Sequence, residues 1–195
     1  ELFDKEGNTL RTESLNYDTK DSVATFFGGG ALRDTSGNVM ESRQGTYDAK
    51  VKTFTFENRV EMFVDSIQIK TTRMHYVADI AKAFFGKNTY MWRGAGFLKA
   101  DAGNYDRNTQ IANFKDNVYM NDPSYEAWSD DVFYDQVTGR ADMYRNSQIL
   151  DTTHSSYYLA DCLIYEPKGD TLDLWQDRVI LTQNPAIVYC GENEN

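Results

Sequence analysis

The stretch Tyr105-Asp106-Arg107-Asn108-Thr109-Gln110-Ile111-Ala112-Asn113-Phe114-Lys115-Asp116-Asn117-Val118-Tyr119-Met120 decides the fold. Ala112 and Phe114 flank the polar Asn113, and this alternation with a period of two is that of a strand with one buried face. A helix needs a period near 3.6, so the helical reading fails. Before the alternation stands Asp106-Arg107-Asn108, and after it Asp116-Asn117. Asp and Asn bond their own backbone and tolerate left-handed conformations, so both places predict a change of direction. The unit reads as strand, turn, strand, bend, short strand.

The same unit recurs along the whole chain. Its anchor tyrosines are Tyr17, Tyr47, Tyr76, Tyr105, Tyr134 and Tyr165, spaced by 29 to 31 residues. Seven residues after each stand Ala24, Phe54, Ala83, Ala112, Ala141 and Leu172. Nine after stand Phe26, Phe56, Phe85, Phe114, Met143 and Leu174, and fifteen after stand Leu32, Met62, Met91, Met120, Ile149 and Ile180. Every one of these positions is apolar. Turn chemistry follows the tyrosines at Asp18, Asp48, Asp106, Asp135 and Glu166. A second break falls at Gly28-Gly29, Asn58-Arg59, Lys87-Asn88, Asp116-Asn117, Arg145-Asn146 and Gln176-Asp177. The glycine cluster at Gly28 lacks the strand-to-helix setting of a phosphate loop and reads as a bend.

We therefore expect an all-β protein, an elongated two-sheet β-jelly roll or solenoid built from about six repeats of roughly 30 residues. Residues 1–195 form a single repetitive domain in this reading. One repeat cannot bury its apolar face alone, so neighbours must complete it. Like positions are expected to stack into columns, with the tyrosines as a structural ladder.

Composition agrees with strands. The chain carries 13 Tyr and 11 Phe against three Pro, and 41% of its residues are hydrophobic. A formal net charge of −10 leaves no basic stripe for phosphates, which argues against a nucleic-acid partner. No run of about eighteen apolar residues is present, so no transmembrane segment is expected. The start at Glu1 without Met reads as a mature chain whose signal segment has been removed. Cys162 and Cys190 are compatible with a disulfide in an oxidising compartment or with two separate thiols. Cys162, three before Tyr165, is expected to face outward.

Chemistry-bearing sets are sparse. His75 and His154 occupy different register positions with no partner at metal-ligand spacing, so neither a metal nor a cofactor is expected. Asp101, Asp130 and Asp161 share one repeat position, four before the tyrosine. Two carboxylates at suitable separation could act as acid and base on a glycoside. Glu13, Arg43 and Thr72 occupy the equivalent positions, which favours a solvated or turn-capping role over catalysis.

An apolar residue, Ala-Asp, a spacer and Tyr, followed by a turn and a strand, occurs as Lys99-Ala100-Asp101-Ala102-Gly103-Asn104-Tyr105 and Leu159-Ala160-Asp161-Cys162-Leu163-Ile164-Tyr165. Degenerate forms run from Leu10 to Tyr17 and from Trp128 to Tyr134. This pattern resembles the OstA/LptA family of periplasmic lipopolysaccharide-transport proteins, over about residues 10 to 182. The resemblance implies an open, twisted β-jelly roll with an apolar interior that receives acyl chains. It implies a non-enzymatic carrier of lipopolysaccharide or a related lipid A-type amphiphile in the Gram-negative periplasm. Open edges would pair head to tail with further copies or with other envelope jelly-roll proteins. Phe56, Phe85, Phe114, Met62, Met91 and Met120, in the central repeats, are the residues expected to line the acyl-chain lumen, since Met fills irregular gaps. The alternatives are a β-solenoid enzyme acting on polysaccharide, or a structural or adhesive repeat protein assembling through edge strands.

Overall fold

The computed structural model describes residues 1–64, 66–153, 155–166, 178–182 and 187–190. The chain begins with β1 (Leu2–Phe3), β2 (Thr9–Asp18), β3 (Val23–Arg33), β4 (Val39–Asp48), β5 (Thr53–Val64) and β6 (Ile67–Val77). A 3-10 turn (Ala78–Ile80) leads to β7 (Lys82–Phe85), β8 (Thr89–Arg93), β9 (Gly96–Ala100) and β10 (Ala102–Asp106). Then come β11 (Ile111–Asn121), β12 (Tyr125–Asp135), β13 (Ala141–Asp151), β14 (Ser156–Glu166), β15 (Arg178–Thr182) and β16 (Ile187–Cys190). All sixteen belong to one antiparallel sheet in which each strand pairs with its sequence neighbours, except where β7–β10 split between two paths and where β16 returns to pair with β14.

Each repeat is thus a hairpin of two long strands, and the hairpin turns form where Asp follows the anchor tyrosine. Asp18, Asp48, Asp106 and Asp135 accept backbone N–H bonds of 2.8–2.9 Å from Lys20, Lys50, Asn108 and Val137. Tyr76 is the exception, because Val77 follows it and the 3-10 turn replaces the Asp cap. Successive hairpin tips are joined by backbone bonds from Ala49, Ala78, Arg107 and Gln136 to Ser22, Lys52, Ala81 and Gln110.

The second break bends the strands at mid-length. Asn58, Arg59, Asn88, Asp116, Asn117, Arg145 and Asn146 all have positive φ, as do Gly28 and Gly29. The ladders shift register at the same places, between Glu57 and Val60, Lys115 and Val118, and Tyr144 and Ser147. A single sheet is thereby folded along one line into two limbs, and these are the two sheets the periodicity implied. Gln176-Asp177, the sixth such site, lies outside the described residues.

Antiparallel pairing changes how the columns are built. Like positions of successive repeats lie two strands apart, and a different apolar position fills the strand between. Tyr47 faces Phe54, which faces Tyr76, which faces Ala83, which faces Tyr105. On the next inward row Phe26, Gly45, Phe56, Met74, Phe85, Gly103 and Phe114 follow one another. On the other limb Met40, Met62, Ile69, Met91, Leu98 and Met120 do the same. The tyrosines therefore alternate with Ala or Phe instead of stacking directly on each other.

Large residues beside small ones let the rows interdigitate. A Cβ at Gly45 would lie 2.6 Å from the Phe26 ring, and one at Gly103 would lie 2.8 Å from the Phe114 ring. Phe26, Phe54, Phe56 and Phe114 are fully buried, and both limbs contribute to one core cluster. Tyr47, Tyr76 and Tyr105 are buried, whereas Tyr17 near the chain start is half exposed.

The sixth repeat departs from the expected spacing. Ile180 pairs with Ile164, on the outward register of Asp142, so it does not continue the inward column. Val188 of β16 takes that place opposite Tyr158. Leu172 and Leu174 lie outside the described residues, as does His154. Cys162 faces Tyr144 on the outer side, as expected, but is buried there instead of open to solvent. The side chain of Cys190, and so its pairing with Cys162, lies outside the described residues.

Candidate functional site in the apolar interior

The two limbs meet along a seam of polar contacts between opposite strand ends. Lys52, in the tip between β4 and β5, reaches Glu6 at 2.5 Å and Asp79 at 2.6 Å. Arg107 donates to Asp34 at 2.8 Å, and the Asp34 side chain is 1% exposed. Asp34 also accepts from the backbone of Ser36 and Asn38 and from the Asn38 side-chain amide, so its buried charge is well satisfied. Burial, with Asp4 and Glu6 nearby, pushes the Tyr47 phenol up. Burial and the Asp34 charge do the same to Tyr76.

Further along, the seam leaves a narrow apolar hollow of about 30 Å³. Val64, Ile67, Ile69 and Met91 line it from one limb, and Tyr105, Ala112, Phe114 and Tyr134 from the other. Polar groups sit only at its rim. Tyr105 donates to Gln136 Oε1 at 3.1 Å, and Arg93 donates to the Tyr134 hydroxyl at 3.2 Å. Tyr125 nearby is pushed up to about 12, first by burial and then by Asp122. A concave apolar space with a few oriented polar groups is the usual form of a site for an apolar ligand.

Of the residues expected to line a lumen, Met91 and Phe114 border this hollow. Phe56 is packed among other rings, with centroids 6.1 Å from Phe26 and 6.2 Å from Phe54. Phe85 and Met62 are buried in the core, and Met120 packs partly buried against it. Val64 and Ile67 escaped the repeat reading because they belong to the strand ends at one tip. Tyr105 and Tyr134 were read as a structural ladder. Only folding the sheet brings the tyrosine row across from Met91.

The aligned carboxylates have a local task. Asn117 donates to Asp101 at 2.8 Å, and Asn146 donates to Asp130 at 2.8 Å. In each case the Asp, at the bend between β9 and β10 or on β12, fixes a left-handed Asn at the bend of a neighbouring strand, in keeping with the solvated or capping role expected for that position. Asp161 is exposed. His75 lies on the outer face against the Thr55 hydroxyl at 3.0 Å, and burial followed by the Arg73 charge lowers its pKa.

The fold and site together define a class: an open antiparallel β-jelly roll, folded along its length around an apolar interior. Residues 2–72 match the family described as OstA-like protein. Among solved structures the chain is similar to LptH, described as the LptA homologous periplasmic component of the conserved lipopolysaccharide transport device from Pseudomonas aeruginosa. The TM-score is 0.51 at 12% identity, over 57% of this chain and 83% of that one. No curated protein matches the chain in sequence. The family match covers residues 2–72 only, and the likeness to LptH is one of fold. Among the described residues, no helix is long and apolar enough to cross a membrane.

Proposed function

We propose that the chain is a non-enzymatic periplasmic carrier that takes part in lipopolysaccharide transport, holding the acyl chains of lipopolysaccharide or a related acylated glycolipid between its limbs. The observation that carries this reading is the apolar hollow bordered by Met91 and Phe114, with polar groups confined to the rim. The OstA-like match over residues 2–72 and the fold shared with a lipopolysaccharide-transport component support it. Phe56, Phe85, Met62 and Met120 stiffen the wall from within the same rows. Among the described strands β1 stands at an edge of the sheet and exposes Phe3. An edge of this kind pairs readily with another chain, either a further copy or another envelope jelly-roll protein.

Native mass spectrometry after incubation with lipid A tests the reading. Wild-type protein is expected to retain lipid A. Met91→Glu should lose it, because a carboxylate in the hollow costs far more to desolvate than a thioether. The outward neighbour substitution Tyr90→Glu should leave retention unchanged. No retention by wild type, or equal retention by Met91→Glu, would refute the proposal.

A further inference from the structure

The outer face of the C-terminal half carries a second concavity that the interior site does not use. Across β10–β13 the outward residues Asn104, Asn113, Phe133 and Asp142 form one cross-strand row. Beside it Lys115, Asp131 and Tyr144 form the next. Between these rows lies a groove of about 360 Å³ that opens to solvent. Their inward neighbours Phe114 and Val132 point into the core, so groove and hollow lie on opposite faces of the same strands.

Its chemistry is restrictive. Arg140 holds Asp142 with two bonds of 2.7 and 3.1 Å, and the Tyr144 hydroxyl donates to the same carboxylate at 3.3 Å. Asp131 Oδ2 accepts from Arg145. Asp131 Oδ1 and Asn104 Oδ1 are buried with no hydrogen-bond partner among the described residues. Buried acceptors are normally satisfied, so Asp131 Oδ1 in the groove wall calls for a donor from outside. Lys115 lines the groove and forms no ion pair among the described residues. The guanidinium groups already offset both carboxylates, which disfavours a metal ion and a simple anion alike.

What remains is a ring face at Phe133 and Tyr144, beside one acceptor short of a donor at Asp131, the Lys115 ammonium and the Asn113 amide. A ligand that matches must present an apolar face together with hydroxyl groups that both donate and accept. Sugars have that form. Beyond the bend, on β11, β12 and the neighbouring β8 and β9, the outer face continues as half-buried rings. Tyr119 lies 5.5 Å from Trp128 and 6.2 Å from Phe97, and Phe97 lies 5.6 Å from Trp92. These rings offer further stacking surface next to the groove.

We infer that the outer groove formed by Asn113, Lys115, Asp131, Phe133, Asp142 and Tyr144 is a saccharide-binding site. It does not rest on the interior-carrier reading. The saccharide belongs either to a free glycan or to the headgroup of a glycolipid.

The test presents wild-type protein and the variants Lys115→Ala, Phe133→Leu and Met91→Glu to an array of lipid-free bacterial oligosaccharides, and in parallel to micelles of glycolipid. Wild type and Met91→Glu are expected to retain the same oligosaccharides. Lys115→Ala and Phe133→Leu should bind them at least tenfold more weakly, with the Lys115→Ala melting curve unchanged. Retention of headgroup oligosaccharides alone would assign the glycolipid source, and retention of other glycans a free polysaccharide. The inference is overturned if no lipid-free oligosaccharide is retained, or if both groove variants bind as wild type does. Loss of micelle binding in Met91→Glu with oligosaccharide binding intact separates failure of the hollow from failure of the groove.

Discussion

Replacing Gly45 with Ala probes how the interior is built. Where backbone and surroundings accept a side chain without strain, such a change stabilises slightly, by about 0.4–1 kcal/mol, because it restricts the unfolded chain. At Gly45 the added Cβ would lie 2.1 Å from the Thr55 carbonyl oxygen and 2.6 Å from the tip of the Phe26 ring. The ring is fully buried and packs against Phe56 at 6.1 Å, so it cannot swing aside without displacing the next row. The carbonyl belongs to the ladder between β4 and β5, where Thr46 faces Thr55. Both neighbours must move, which places the cost at the upper part of the overpacking range, about 2–3 kcal/mol. For a chain of this size that lowers the melting temperature by roughly 4–12 °C. Thermal melting followed by circular dichroism reads the shift. Gly45→Ala/Phe26→Leu should recover only part of it, since the carbonyl clash persists. A Gly45→Ala protein that melts at or above the wild-type temperature would refute the large-beside-small packing of the rows.

Two other outcomes follow from the same structure. Asp130→Ala removes the acceptor for Asn146 at a solvent-accessible bend and should cost about 0.5–1.5 kcal/mol in urea unfolding; a neutral substitution would show that this capping bond carries no stability. Tyr125, raised to about 12 in the fold from an ordinary 10.0, keeps its proton after the unfolded chain has lost its own. Its contribution to stability is therefore present below pH 10 and declines between about pH 10 and 12, and Tyr125→Phe should flatten that alkaline limb of a pH-dependent melting series.

How much of this was legible in the sequence depends on the range over which each feature acts. Period-two alternation around Asn113, Asp after the anchor tyrosine and the Asn pairs at the bends are local. Each residue there sets its own backbone through side-chain bonds or a tolerated positive φ, and the structure contains them where the sequence placed them. Asp101 and Asp130 as capping residues were legible for the same reason. The direction of pairing was not, because inward alternation is equally satisfied by parallel coils and by an antiparallel meander. That choice inserts Gly45 between Phe26 and Phe56, and it separates tyrosines that a coil would have stacked.

The interior site divides in the same way. Met91 and Phe114 were identified as inward and apolar from spacing alone. Phe56, Phe85 and Met62 were too, yet they are enclosed by neighbours. Whether an inward residue meets another side chain or empty space depends on how far apart the two limbs stand, a distance that no single strand encodes. The Lys52–Glu6, Arg107–Asp34 and Arg93–Tyr134 contacts across the seam and the hollow beside Met91 all join residues many strands apart. The sequence by itself determined strands, turns, bends and the buried face, because local backbone and solvation chemistry act within a few residues. Only the tertiary structure decided where the folded sheet closes and where it stays open, because that balance is struck between limbs that touch only after the sheet has folded.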